Sequence, residues 1–226
     1  LSKKGKKSSN MSTITMATLL IVLLGLGVFA MIRPTGTNEQ TGPNIQNFSY
    51  AGQPSIGNPN APVKLMEFGD FKCPACKAFH DTIYPQLKKD YIDTGKVQMF
   101  FSNYQFIGPD SITAGMAGEA VYKQNNDAFW KYYDAVYTNQ KEESQIWATP
   151  EFLIGLVKKH VPGIDTDQLS RDLKNKTYQK EVEADNQLAK KSMVRSVPAI
   201  FVNGKEVEDS LNYDAIKKAI EEELKK

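Results

Sequence analysis

The chain holds two cysteines, and they stand together in Cys73-Pro74-Ala75-Cys76. Thiols two residues apart either bridge each other or carry out thiol–disulfide exchange, in which the thiolate is the nucleophile. When such a pair opens a helix, the first sulfur lies beside unpaired backbone N–H groups at the positive end of the helix dipole, which brings its pKa into the ~3.5–7.5 range. The spacing therefore predicts Cys73 as a thiolate at neutral pH and Cys76, a turn further in and more buried, as the resolving thiol. The alternatives are an inert structural disulfide or half of a shared metal site. A tetrahedral zinc site needs four ligands, and the only histidines are His80 and His160. His80, a turn beyond Cys76, is expected on the helix surface. Lys72 is expected on a solvated face, although its charge would favour a neighbouring thiolate. Glu67 shares a strand face with Val63 and Leu65, so it is either a partly buried carboxylate near the sulfurs or a solvated charge at the strand end.

Strand, turn and helix are what must position the pair. Residues 63–68 form a short apolar run suited to a buried strand, and Gly69-Asp70 reads as a turn. Pro74 occupies a first-turn position where its missing N–H is not needed, and Cys76, Phe79 and Ile83 recur at helical spacing. Pro85 is expected to kink or break that helix. Val97, Met99 and Phe101 alternate as a second strand after the turn at 93–95, which closes a strand-helix-strand unit. Downstream, residues 199–202 and 205–208 flank Asn203-Gly204, a strong hairpin signal. Asn212 can cap a last helix with the apolar face Tyr213, Ile216, Ile220 and Leu224. Between these parts, about 104–195, no strand alternation occurs; helices are predicted over 110–124, 127–139, 150–160 and around 167–193. This middle reads as a helical insertion. Its aromatics Phe129, Trp130, Tyr133 and Tyr137 recur at three and four, the pattern of a packed face.

Composition narrows the function classes. Five Lys or Arg and no acid in residues 1–33 account for more than the net charge of +2, leaving −3 on the rest. A mildly acidic body without a basic stripe excludes nucleic acid as the expected partner. Residues 14–32 carry no charge over 19 positions, long enough to span a ~30 Å hydrocarbon core. Four lysines precede this stretch, so the positive-inside bias predicts a cytoplasmic tail at 1–13, a transmembrane anchor at 14–32 and an extracytoplasmic body. A cleaved signal peptide ending near Val28-Phe29-Ala30 is the rival reading. Both export the domain to a compartment where a disulfide persists. Residues 33–60, rich in Gly, Asn, Pro and Thr, read as a linker, with the domain at 61–226.

The stretch 67–76, Glu-Phe-Gly-Asp-Phe-Lys-Cys-Pro-Ala-Cys, with 196–204, Ser-Val-Pro-Ala-Ile-Phe-Val-Asn-Gly, resembles the DsbA family of disulfide oxidases, closest to its Gram-positive BdbD-type members. The resemblance implies an α/β thioredoxin fold with a helical insertion. It implies that Pro198 is cis and that Val197-Pro198 faces the cysteines, that Pro74 and Ala75 shape the motif, and that Glu67 assists proton transfer at the buried thiol. Gram-negative relatives typically have His where this chain has Ala75, which removes one source of thiolate stabilisation. The resemblance also implies a structural Ca²⁺ held through Gln53, Glu119 and Asp185. The dithiol chemistry itself needs no cofactor. The implied activity is oxidation of reduced exported proteins, with reoxidation by a quinone-linked DsbB/BdbC-like membrane partner. An extracytoplasmic reductase, for instance in cytochrome maturation, would use the same sulfurs in reverse, and an anchored binding protein would use them only as a staple.

Overall fold

The computed structural model describes residues 49–226, so the 1–13 tail and the 14–32 span lie outside the described residues. Among the described residues, no helix is long and apolar enough to cross a membrane.

The apolar run becomes the central strand β2, and burial on both of its faces explains why it reads as continuous rather than alternating. Strand β1 is Ser55–Gly57, β2 is Val63–Gly69, β3 is Val97–Asn103, β4 is Ala199–Val202 and β5 is Lys205–Glu206, in the sheet order β1-β3-β2-β4-β5. β2 pairs in parallel with β3, Glu67 opposite Phe101, and antiparallel with β4, Glu67 opposite Ile200. The stretch read as a linker contributes β1, which pairs antiparallel with β3. Three residues are too few to show a period of two, so the fold begins before residue 61 without a sequence signal. The hairpin at Asn203-Gly204 has both residues at positive φ, as a two-residue turn requires. β5 ends two residues sooner than expected.

The helix after the cysteine motif does not break at Pro85. It runs as α1 (Pro74–Ala78), a π-helical turn (Phe79–Ile83), α2 (Tyr84–Leu87) and a second π-helical turn (Lys88–Ile92). Pro85 falls at the start of α2. A proline ring clashes with the carbonyl four residues back, and the widened π turn ahead of it shifts that carbonyl aside.

The insertion between β3 and β4 consists of α3 (Pro109–Gln124), α4 (Asn126–Thr138), α5 (Pro150–His160), α6 (Thr166–Asn175) and α7 (Gln179–Lys191). The single helix expected around 167–193 is two, separated where Lys176 takes a left-handed conformation. Helix α8 (Tyr213–Glu223) closes the fold, and the Asn212 side chain caps it as the sequence suggests. The main core lies between the sheet and the insertion, where Phe71, Phe101, Phe129, Tyr132, Tyr133 and Tyr137 are buried together. A smaller cluster of Met66, Phe68, Phe100 and Phe201 packs with Ala189.

Candidate active site

Cys73 is the N-cap of α1 in an extended conformation, and Pro74 follows at the first turn. Three contacts hold this turn. The Cys73 amide donates to the Asp70 carbonyl at 3.0 Å. Gln140 Nε2 donates to the carbonyls of Phe71 and Cys73 at 2.9 and 3.0 Å. The fully buried Asp70 carboxylate accepts from the Lys72, Phe106 and Ile107 amides and from Ser111 Oγ, at 2.7–3.1 Å. What the sequence presents as a turn residue is thus the anchor of the loop. Gly69 is needed beside it: a Cβ there would sit 2.7 Å from the Phe101 ring and 3.2 Å from Glu67 Oε1.

Within this frame the two sulfurs differ. Cys73 is 8% exposed and Cys76 fully buried. A hydrogen bond from the Cys76 thiol and the amides of Cys76 and Ala75, working against burial, lower the Cys73 pKa to about 7. Burial, the bond to Cys73 and the charges of Cys73 and Glu67 push the Cys76 thiol well above its usual value. Pro74 is exposed and Ala75 half-buried, so the motif's second intervening position brings no polar side chain. Across the motif, the Cys73 thiol donates to the Val197 carbonyl at 3.5 Å, and the Val197-Pro198 peptide is cis.

Glu67 is completely buried on β2, not a charge at a solvated strand end. The Tyr133 hydroxyl donates to its Oε2 at 2.8 Å, while Oε1 has no partner. Burial raises the Glu67 pKa to about 8, against the lowering effects of the Tyr133 bond and the His80 charge. A carboxyl titrating there can exchange protons at neutral pH, and it is electrostatically coupled to both sulfurs.

Two expectations for the neighbourhood are corrected. Lys72 is not on a solvated face: it is 3% exposed, and its ammonium pairs with Asp110 at 2.8 Å and donates to the Gln145 carbonyl at 2.9 Å. Asp110 also accepts from the Trp147 and Ala148 amides, so this ion pair ties the loop after α4 to the cysteine turn. His80 is half-buried rather than a surface residue, with its ring against Tyr84, Tyr133 and Tyr137. By spacing alone Tyr133 has only a packing role, because a tyrosine on an apolar helical face recurs just as a phenylalanine does.

The residues Gln53, Glu119 and Asp185 meet at the C-terminal end of β3. Gln53 Nε2 donates to Asp185 at 2.6 Å, and Asn103 Nδ2 donates to Glu119 at 2.8 Å and to Asp185 at 3.0 Å. Burial and the Asp185 charge raise Glu119 to about 8, and burial raises Asp185. Gln53 Oε1 and the nearby Glu181 Oε2 are buried without partners. Among the described residues, no group of three or more His, Cys, Asp or Glu is gathered as a metal site; this donor set is two carboxylates and amide oxygens.

Comparison with known proteins agrees with this geometry. The family described as Thioredoxin matches residues 49–222. The probable disulfide bond formation protein D of Bacillus anthracis is 41% identical over 213 residues, 94% of this chain and 95% of that protein. Disulfide bond formation protein D of Bacillus subtilis is 40% identical over 177 residues, 78% of this chain and 79% of that one. The oxidised crystal structure of BdbD from Bacillus subtilis superposes with a TM-score of 0.76 at 39% identity, covering 79% of this chain and 96% of that one. Chlamydia trachomatis DsbA shares the fold, with a TM-score of 0.71 at 24% identity over 80% of this chain and 95% of that one.

Proposed function

Because this chain belongs to the thioredoxin family, as a BdbD-type member of its DsbA branch, and is a protein disulfide oxidoreductase, we propose that it introduces disulfides into exported proteins through Cys73 and Cys76. The observation that carries the reading is the split between the two sulfurs: one thiol near pKa 7 at a helix N-terminus, the other buried and pushed up beside a titratable carboxyl.

The reaction follows from that split. A substrate thiolate attacks Cys73 Sγ of the Cys73–Cys76 disulfide; the S–S bond breaks and Cys76 leaves with the electron pair. Glu67, mainly protonated at neutral pH, hands its proton to the Cys76 sulfur. A second substrate thiolate then attacks the substrate's own sulfur in the mixed disulfide, and Cys73 leaves as a stable thiolate. The substrate is oxidised by two electrons and the enzyme holds the dithiol. In reoxidation Cys73 attacks the disulfide of an oxidised partner, and Cys76 returns its proton to Glu67 as it displaces that partner. A quinone-linked membrane protein of the DsbB/BdbC kind fits this role. The catalytic body works outside the cytoplasmic membrane, held there by residues 14–32; their uncharged length and the preceding lysines support this reading.

The direction rests on the relatives named for disulfide bond formation, since thioredoxin's reactive thiol also titrates near 7. The potential of the couple decides it. We expect a value well above thioredoxin's, about −270 mV, and short of about −120 mV because Ala75 supplies no donor. A value at or below −270 mV makes the protein a reductase. The order of events has its own check: Cys76→Ser should accumulate dithiothreitol-sensitive adducts through Cys73 on non-reducing gels, and Cys73→Ser should abolish them.

A structural calcium ion fits the second buried cluster. The unpartnered Gln53 Oε1 and the carboxylates of Glu119 and Asp185 are hard oxygen donors in one place. A bound cation would neutralise the two acids and fasten the segment before β1 to α3 and α7.

A further inference from the structure

One charged neighbour of Glu67 is left unused by the exchange steps. Both ring nitrogens of His80 are engaged, Nδ1 2.8 Å from Asp81 Oδ1 and Nε2 3.1 Å from Asp134 Oδ1. Burial opposes the imidazolium, but the two carboxylates outweigh it and move the His80 pKa above 6.5. The ring stands 5.5 Å from that of Tyr133, the residue whose hydroxyl is bonded to Glu67. With both nitrogens committed, His80 has no hydrogen bond to spare for that hydroxyl, so a proton relay through the imidazole is closed. What remains is charge acting through an aromatic layer of low dielectric, where Coulomb terms are strong. The His80 charge does lower the Glu67 pKa against the effect of burial.

We propose that His80 is a positioning residue for the exchange: an imidazolium fixed between Asp81 and Asp134 acts across the Tyr133 ring to keep Glu67 able to release and recover its proton as Cys76 changes state. The proposal rests on the reading of Glu67 as the proton partner of Cys76. The groups that face His80 are Asp81, Lys77 and Tyr84 from its own helical run, Asp134, Tyr133 and Tyr137 from α4, and Glu67 from β2. Lys88 lines the open groove in front of the ring. Lys77 pairs with Asp81 at 2.8 Å, and among the described residues Asp134 has its ion pair with His80. Without the imidazolium, the lowering effect of its charge is gone and Glu67 holds its proton more tightly.

The test is a pH titration of the Glu67 side-chain carboxyl by ¹³C NMR in the reduced full-length chain, alongside the pH profile of mixed-disulfide resolution by Cys76. His80→Gln should move the Glu67 midpoint up from about 8, by about half a pH unit or more, and should move the resolution profile the same way. His80→Lys, which restores the charge, should return both toward wild type. By linkage, Glu67→Gln in the wild-type His80 background should lower the His80 midpoint to the extent that Glu67 is ionised while His80 titrates. Equal shifts from Gln and Lys at position 80, or a His80→Gln shift of the resolution profile that persists in Glu67→Gln, would overturn the proposal. If Glu67→Gln exchanges as fast as wild type at every pH, the proton-partner reading fails instead, and the two carboxyl and imidazole midpoints still report whether the charges are coupled.

Discussion

Two places in this domain bury carboxyl groups whose pKa rises to about 8, and their neighbours set them apart. Glu67 has one hydrogen-bond donor, Tyr133, one empty oxygen, and the sulfurs within electrostatic reach. Glu119 shares its burial with a second acid, Asp185, and both are bridged by the Asn103 amide. The same direction of shift therefore arises beside a buried thiol and beside a second buried acid. A raised carboxyl pKa reports desolvation; the adjoining atoms say what the desolvation is for.

The largest expected effect is on stability against pH, and it should not distinguish the two places. Each folded pKa lies above the ordinary 4.5, so the contribution is intact below about pH 4.5 and lost as pH rises to about 8. At 1.36 kcal/mol per unit, each group destabilises the fold by about 5 kcal/mol at pH 9. Glu67→Gln and Glu119→Gln should each flatten the fall of denaturation midpoint between pH 5 and 9. A flat wild-type profile would show that these carboxyls are not desolvated as described.

Activity should then separate them. Glu67→Gln should slow thiol–disulfide exchange at neutral pH by about 100-fold, the scale of a lost general acid–base group, whereas Asp185→Asn should leave the rate constant of the folded protein near wild type. Comparable losses from both would erase the comparison. The smallest effect is the cation's: Ca²⁺ at ten times its Kd should raise stability by about 1.4 kcal/mol, more visibly at pH 8 than at pH 5, where the carboxyls bind protons instead. Asp185→Asn should remove this gain and Glu67→Gln should keep it. No gain in the wild-type protein would leave the cluster as an amide-bridged acid pair.

The reach of the sequence follows the range of the interactions. Cys73, Pro74 and Cys76 lie within four residues, so their chemistry was legible from local geometry, and the strands on either side were marked by apolar runs and the Asn203-Gly204 turn. The helical character of 104–195 was equally plain. Long-range pairings were not. The bond from Tyr133 to Glu67 spans 66 residues and that from Lys72 to Asp110 spans 38, and nothing in a lone tyrosine or lysine announces such a partner. β1 was too short for a period to show, and the break at Lys176 falls on a residue type that rarely adopts positive φ. The π turn before Pro85 hid for a related reason: a proline's usual effect on a helix holds only while the helix keeps its four-residue hydrogen bonding.

The contact between Cys73 Sγ and the Val197 carbonyl joins residues 124 positions apart. At a synthesis rate of ~5–20 residues per second, the cysteines leave the ribosome on the order of ten seconds before Val197 is made. In that interval β2 has no β4 beside it, and for its first part no α4 supplies Tyr133 or the Gln140 clamp. Until those residues follow, the packing that buries Cys76 is incomplete, while the amides of Ala75 and Cys76 beside Cys73 are already made. The wall that Val197 and β4 set against the motif is finished only by the C-terminal third of the chain, so a copy halted before residue 197 carries the cysteine pair on an incomplete scaffold.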